Sequence, residues 1–172
     1  SEKTPLIEFW LENSNVSITG KKGNELIVSG STIQNHANEL KNQLSGYKAR
    51  FEPLEIAYHE AKKNKDTVKI SEIESQWHQL YQARNNEVFE FIKNHPDSYL
   101  SLYHLVLLSR VKNADLNVIK EAIGGLSSTI QNTDEAKQLL ATIKETEDRM
   151  QKIAPDFEQP DVNGVMVRLS DY

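Results

Sequence analysis

The sequence predicts an α+β protein that is mainly α-helical. We expect a short antiparallel β-sheet, then a helical bundle containing a long antiparallel helical hairpin, then a β-hairpin. Three observations predict this order. Short β-prone runs occupy residues 1–30, apolar residues then recur at spacings of three and four through residues 31–151, and an Asn-Gly turn lies between extended segments in residues 152–172.

Three short antiparallel strands are expected before the helices. Residues 5–12 mix aromatic and aliphatic side chains and stop at a turn signal rich in Asn and Ser. In residues 16–20, β-branched and polar residues alternate, and the pattern places Val16 and Ile18 inward. A glycine-containing turn can then reverse the chain into residues 26–28. Because three strands alone form a marginal sheet, we expect other elements to cover it.

The first long helix is expected to begin near Ser31 or Thr32, since either side chain can cap it. Apolar residues then recur at alternating spacings of four and three, which predicts one buried stripe along the helix. The stripe consists of Leu40, Leu44, Tyr47, Phe51, Leu54, Tyr58 and Ala61. Gly46 and Pro53 lie within it and predict a bend or a break.

A second long helix is expected to begin at Thr67, after a polar reversal at residues 62–66. Its matching apolar stripe consists of Ile70, Ile73, Trp77, Leu80, Tyr81, Val88, Phe91 and Ile92. Two long stripes joined by a short polar link predict an antiparallel helical hairpin. Pro96 is expected to end the second helix, because the residue before a proline avoids the α region.

Three further helices are expected after Pro96. Asp97 or Ser98 can cap a helix that is the most apolar segment of the chain and is therefore expected at the centre of the bundle; its apolar residues are Leu100, Leu102, Leu105, Val106, Leu107 and Leu108. Asp115 can start a short helix that Gly124-Gly125 closes. A last helix is expected over roughly residues 132–151, with its buried side formed by Ala136, Leu139, Leu140 and Ile143.

Composition excludes several classes of function. The net charge is −5, and the basic residues are scattered among acidic ones. Nucleic acid is therefore not an expected partner, because a phosphate backbone requires a basic face. No apolar run approaches the length that spans a bilayer. The chain has no cysteine, which rules out thiol chemistry, disulfides and cysteine-bound zinc within these residues.

The polar residues of the predicted helices do not form a recognisable active site. His59-Glu60 lacks the second histidine of a zinc helix, since position 63 is Lys. His78 and His104 lie near apolar helical positions, where a lone histidine is usually a packed or surface residue. The sequence therefore predicts no catalytic, cofactor-binding or metal-binding residue, and no cofactor.

Other candidate residues have simpler structural interpretations. Glu72, Glu74 and Glu87 are typical of solvated helix faces, and pairing any two as acid and base would be arbitrary. Gly124-Gly125 is better explained as a helix terminator than as a phosphate loop, because no strand precedes it. Trp10, Trp77 and the tyrosines are expected in the core, with an exposed binding stripe as the alternative for some of them.

The last residues carry a resemblance to a known family. They comprise an Ala154-Pro155-Asp156-Phe157 stretch, then Pro160-Asp161, then the strong hairpin turn Asn163-Gly164, and finally Val167 with Leu169-Ser170-Asp171-Tyr172. This pattern resembles the beginning of TlpA/ResA-like and peroxiredoxin-like (AhpC/TSA-superfamily) thioredoxin domains. In those domains the pattern precedes the first central strand, and a Trp-Cys-x-x-Cys motif or a peroxidatic cysteine follows.

The resemblance extends over nearly the whole chain. The run from Phe91 to Ser98, followed by an apolar helix, is similar to the helical region of such oxidoreductases in Bacteroidetes-type bacteria. The segments 9–19 and 28–31 resemble the last strands of the small, uncharacterised β domain that opens those proteins. The resemblance implies that residues 1–30 are a remnant of that domain and residues 31–151 a helical domain. Residues 152–172 would be a linker and the first hairpin of a truncated thioredoxin-like domain.

Three hypotheses about function follow. The resemblance implies a non-catalytic accessory region of a periplasmic or envelope-attached thiol–disulfide oxidoreductase. It would position the redox domain, mediate dimerisation or contact substrate proteins, and without cysteine it would be inactive alone. Its partners would then be its own thioredoxin-like domain, substrate proteins or a second copy. The alternative is a stand-alone helical interaction module. A third hypothesis, which rests only on residue inventory, is a hydrolase that uses His and Glu.

Overall fold

The computed structural model describes residues 9–20, 26–152, 158–160 and 165–168. The chain forms two compact units, Ser1–Asn132 and Thr133–Tyr172. The elements of the first unit are β1 (Ser17–Thr19), β2 (Ile27–Ser29), α1 (Thr32–Lys63), α2 (Thr67–Asn94), α3 (Tyr99–Ser109), α4 (Leu116–Gly124) and α5 (Ser128–Gln131). Those of the second are α6 (Asp134–Lys152), β3 (Glu158–Pro160) and β4 (Met166–Arg168). This confirms the predicted mainly α fold with a small sheet and a final hairpin, while the domain boundaries at 30/31 and 151/152 stay predictions.

The first sheet is a two-stranded antiparallel ribbon in which Ile18 pairs with Val28. α1 packs against β2, where Val28 is buried, whereas Ile18 on β1 is 52% exposed. The prediction that Ile18 faces inward was therefore wrong. The ribbon ends at Gly30, where φ is +103° and a Cβ atom would lie 2.2 Å from the carbonyl oxygen of Asn15. Only glycine fits this close approach without strain.

The strand expected at residues 5–12 does not form in its described part, residues 9–12; residues 5–8 lie outside the described residues. The backbone N–H of Trp10 instead donates to the side-chain oxygen of Gln34 at 2.8 Å. Its indole ring lies edge-on to Tyr103, with the ring centroids 5.0 Å apart. These contacts hold the segment against helices α1 and α3 and replace the ladder that a third strand would have needed.

Helix α1 begins where the sequence predicted and is longer than expected. The Ser31 hydroxyl accepts from the backbone N–H of Gln34 at 3.0 Å, which caps the first turn. The helix then runs without a break past Gly46 and Pro53, so of the predicted bend or break the break was wrong and the bend stays a prediction. Both residues are exposed. Packing of the buried stripe along the whole hairpin outweighs one missing hydrogen bond and one poor helix former.

Helix α2 returns antiparallel to α1. The Asp66 carboxylate caps it by accepting from the N–H of Lys69 at 3.0 Å. Contacts across the hairpin run in opposite directions along the two helices: Tyr47 with Glu87, Phe51 with Tyr81, and Tyr58 with Trp77. The predicted stripes are buried or half-buried except for Tyr81, which is 51% exposed. The long helical hairpin is therefore confirmed.

The shorter helices complete the core of the first unit. α2 ends at Asn94, directly before His95-Pro96, and Ser98 is the N-cap of α3. α3 is central, as predicted, with Leu102 and Leu105 fully buried. Asp115 caps α4 by accepting from two backbone N–H groups, and Gly125 ends it. The four-residue helix α5 was not predicted, because it is too short to show a period.

The second unit contains a helix and a ribbon. α6 starts at Asp134 with acidic residues in its first turn, which suits the positive end of the helix dipole. Ala136, Leu139 and Ile143 are buried and Leu140 is half-buried, as the spacing predicted. β3 and β4 pair antiparallel, with Gln159 opposite Val167. The predicted turn Asn163-Gly164 lies outside the described residues.

Candidate functional site

A groove of about 580 Å³ lies between α2 and the segment that runs from α3 into α4. Its size falls in the range of pockets that hold ligands. The walls are mainly aliphatic and aromatic, and we call the feature the α2–α4 groove. Its apolar residues include Tyr81, Val88, Phe89, Leu107, Leu108, Val111, Val118 and Ile119.

Several of these apolar side chains remain accessible to solvent. Tyr81 is 51% exposed, Leu107 39%, Val111 54% and Val118 43%. They come from three successive elements, α2, α3 and α4 with its preceding loop, so the fold brings them to one rim. Isolated exposed apolar residues need no explanation, but a contiguous set around a groove is typical of a binding surface.

Of the basic side chains in the wall of the groove, two are shielded from much of the solvent. His104 on α3 and Arg84 on α2 are both half-buried. Burial and, to a smaller extent, the positive charge of Arg84 together lower the pKa of His104 to about 4. His104 is therefore neutral near pH 7 and can donate or accept a hydrogen bond, whereas Arg84 keeps its charge.

A second polar cluster joins the start of α1 to the α2–α3 corner. The His36 Nδ1 and Ser98 Oγ atoms are hydrogen-bonded at 2.9 Å. The His95 Nε2 atom lies 3.1 Å from the Glu39 carboxylate. The two imidazole rings are stacked at a tilt with centroids 4.3 Å apart, and both contact the ring of Phe91. Four polar side chains from three helical segments thus meet at one corner of the unit.

The electrostatics of this cluster keep His36 neutral. Burial is the larger cause that lowers the His36 pKa, and the nearby His95 lowers it as well. The carboxylates of Glu39 and Glu12 oppose the shift without reversing its direction. A neutral His36 is suited to the hydrogen bond with Ser98, because one ring nitrogen can accept from the hydroxyl.

The geometry of the cluster indicates a structural role and not a catalytic one. Ser98 is 5% exposed and Ser101 fully buried, so a substrate would not reach the Ser98 hydroxyl. Ser98 occupies the N-cap of α3, but its hydroxyl turns to His36 instead of capping the helix. The Ser101 hydroxyl donates to the His95 carbonyl oxygen at 2.7 Å. These bonds fix the corner that follows α2.

Of the histidines singled out from the sequence, His78 and His104 both line the α2–α4 groove, whereas His59 does not. His59 and Glu60 are exposed near the end of α1, and Lys63 ends that helix. His78 is exposed on α2 at the groove, and His104 lies within the groove. In the described ranges, no group of three or more histidine and acidic side chains could hold a metal ion.

The glutamates differ from one another more than the sequence suggested. Glu72 and Glu74 are exposed on α2. Glu87 is exposed too, but its carboxylate accepts a hydrogen bond from the Tyr47 hydroxyl at 2.7 Å. That bond raises the pKa of Tyr47 and ties the two long helices together. Glu87 therefore lies on a solvated face, as expected, but it also links α2 to α1.

The remaining candidates have structural roles. Gly125 is the C-cap of α4, as expected for the Gly124-Gly125 pair. Trp10 and Trp77 are half-buried and pack edge-on against tyrosines. Tyr81 differs from them, because its exposed ring lies in the groove wall.

Sequence reasoning missed the two residues that organise these features. Arg84 stands among polar residues of an amphipathic helix, and its pattern gives no sign that it turns into a groove. His36 lies 62 positions before Ser98, its hydrogen-bond partner. The motif around His95 and Pro96 was a usable signal for the corner, although not for the pairing.

No helix in the described part of the chain is both long and apolar enough to cross a membrane. No family model, curated protein or solved structure matches this chain.

Proposed function

We propose that this chain is a non-catalytic accessory region of a periplasmic, thioredoxin-like thiol–disulfide oxidoreductase. One observation carries the proposal: the residues that resemble the beginning of such a domain include an antiparallel ribbon, β3 with β4, at the place where a hairpin is expected. The ribbon follows a helix, as in the arrangement that the resemblance implies. The proposal therefore covers the family of the protein and its periplasmic location as well as its accessory role.

The proposed role of this chain is to contact other proteins, since it cannot itself perform thiol–disulfide exchange. Thiol–disulfide exchange requires a thiolate that attacks a disulfide sulfur. The chain has no cysteine, so the step would belong to a segment beyond Tyr172. Of the possible contact roles, binding of a substrate protein has the best support, because the α2–α4 groove exposes apolar side chains around a cavity.

The source gene provides the first test. Sequencing beyond the codon for Tyr172 should reveal a hydrophobic strand followed by Trp-Cys-x-x-Cys. A stop codon, or a continuation that lacks a cysteine motif, would contradict the proposal. Fractionation of the source cells provides a second test, since the protein should appear with periplasmic or envelope markers and not with cytoplasmic ones.

A stand-alone interaction module is the second candidate, and the same groove favours it. It differs from the first in requiring no redox domain. Light scattering of the purified chain, affinity capture from cell extract and the gene sequence would together distinguish the two candidate functions. A strictly monomeric chain that captures no partner would argue against the module.

A further inference from the structure

Arg84 is a half-buried cation that has no acidic partner within the described part of the chain. It lies in the wall of the α2–α4 groove, and it forms no ion pair or hydrogen bond with any residue that the structure describes. Arginine side chains that lose contact with water are normally paired, because removing a charge from water costs free energy. The groove therefore presents an unmatched positive charge between apolar walls.

The other polar groups of the groove do not neutralise this charge. Asp115 is the acidic residue in the groove wall, and its carboxylate is already the cap of α4, accepting from Asn117 and Val118 at 3.0 and 3.2 Å. Lys112 adds a second positive charge. The groove is thus locally basic on a chain whose net charge is −5. Its electrostatic complement is an acid.

The rim argues for an extended occupant. Exposed apolar side chains from α2, α3 and the loop before α4 surround the cavity, and they would stay in water if only a small molecule occupied the centre. An apolar peptide segment would cover them together. Burial of apolar surface supplies most of the affinity in such contacts, while a charged pair supplies specificity.

We propose that the α2–α4 groove binds an apolar peptide segment of a partner protein, and that a carboxylate of that segment pairs with Arg84. The guanidinium can hold a carboxylate by two parallel hydrogen bonds, and the apolar walls strengthen the pair by excluding water. The proposal deepens the contact role proposed above and rests on it for the identity of the partner as a substrate protein.

Selection from a random-peptide display library against the whole chain tests the proposal. Enriched peptides should combine apolar residues with an Asp, a Glu or a free carboxyl terminus. Their affinity for the R84Q variant should fall about tenfold, as expected for loss of a charged hydrogen-bonded pair. R84K should recover part of the affinity. The matched control is R50Q, which makes the same change on the exposed Arg50 of α1 and should leave binding unchanged.

Three results would overturn the proposal: no enrichment of any peptide, enriched peptides that lack an acidic group, or equal binding to R84Q and to the unmodified chain. Thermal unfolding of each variant separates lost binding from lost folding. A redox motif found downstream while no peptide binds would reject the groove but keep the proposed family. Peptide binding without a downstream cysteine motif would do the reverse.

Discussion

Acidification should destabilise the folded chain through His104. The pKa of this imidazole is about 4 in the folded state, against an ordinary value of 6.5, because burial and the neighbouring Arg84 disfavour its charged form. Between these two pH values the unfolded chain binds the proton more readily than the folded chain does. His104 therefore does not affect stability above pH 6.5, and its unfavourable effect grows as the pH falls toward 4.

The magnitude follows from the difference between the two pKa values. Without solvent screening, the difference in pKa would lower the free energy of unfolding by about 3 kcal/mol near pH 4. His104 is only half-buried, so solvent screens part of this effect. Between pH 7 and pH 5 the unscreened loss would be just under about 2 kcal/mol, and with screening we expect about 1 kcal/mol from this one residue.

The assay is urea unfolding at pH 7 and at pH 5, for the unmodified chain and for H104Q. The variant cannot take up the proton, so it should lose less stability on acidification by the amount given above. H59Q is the matched control, because His59 is an exposed histidine on α1, and it should lose as much as the unmodified chain. Equal losses for H104Q and the unmodified chain would refute the argument from burial.

Three further perturbations test the backbone, the caps and the groove. G30A should lower the free energy of unfolding by about 3 kcal/mol or more, because the new Cβ atom would collide with a carbonyl oxygen at a residue with positive φ. G46A, on an exposed face of α1, should instead raise it by about 0.5–1 kcal/mol. Chemical denaturation in which both variants change stability in the same direction would contradict this. S31A should lower the free energy of unfolding by about 1 kcal/mol, because it removes the cap of α1. S127A should be nearly neutral, since the buried Ser127 hydroxyl has no partner among the described residues. A larger loss of stability for S127A than for S31A in the same assay would contradict this. R84M should raise the stability of the free chain by about 0.5–1 kcal/mol while weakening peptide binding about tenfold, and a destabilised R84M would show that Arg84 has a structural role.

The parts of the fold that could be predicted depend on local signals. Ser31, Asp66 and Asp115 cap their helices through hydrogen bonds to backbone groups two or three positions away. Pro96 stops α2 by its own covalent geometry. The spacing of apolar residues then gives each long helix one buried face. Because none of these causes depends on distant parts of the chain, a single sequence contains them.

The failures have non-local causes. The hairpin keeps α1 continuous past Pro53 through packing against another helix, which no local propensity describes. Residues 9–12 look like a strand by composition, but the Trp10 backbone bonds to a glutamine side chain of α1. Ile18 alternates correctly yet stays exposed, whereas its partner Val28 is buried on β2, the strand that packs on α1.

The candidate site was less predictable than the fold for the same reason. His104 could be singled out as a histidine at a helical position, but its pKa depends on burial and on a residue from another helix. Arg84 could not be distinguished from the other charged residues of α2. A charge pattern along a helix shows which side chains share a face, whereas the groove depends on where α3 and α4 cross that face.

The position of α2 explains why an unpaired cation can persist there. α2 is in contact with α1, α3 and α4, so the helix is held by three other helices. The fold can therefore tolerate the desolvation cost of one half-buried charge. A purely structural arginine would be expected to have a carboxylate partner within the chain. For Arg84 the missing carboxylate can come from a partner, in which case the same side chain lowers the stability of the free protein and raises the affinity of the complex.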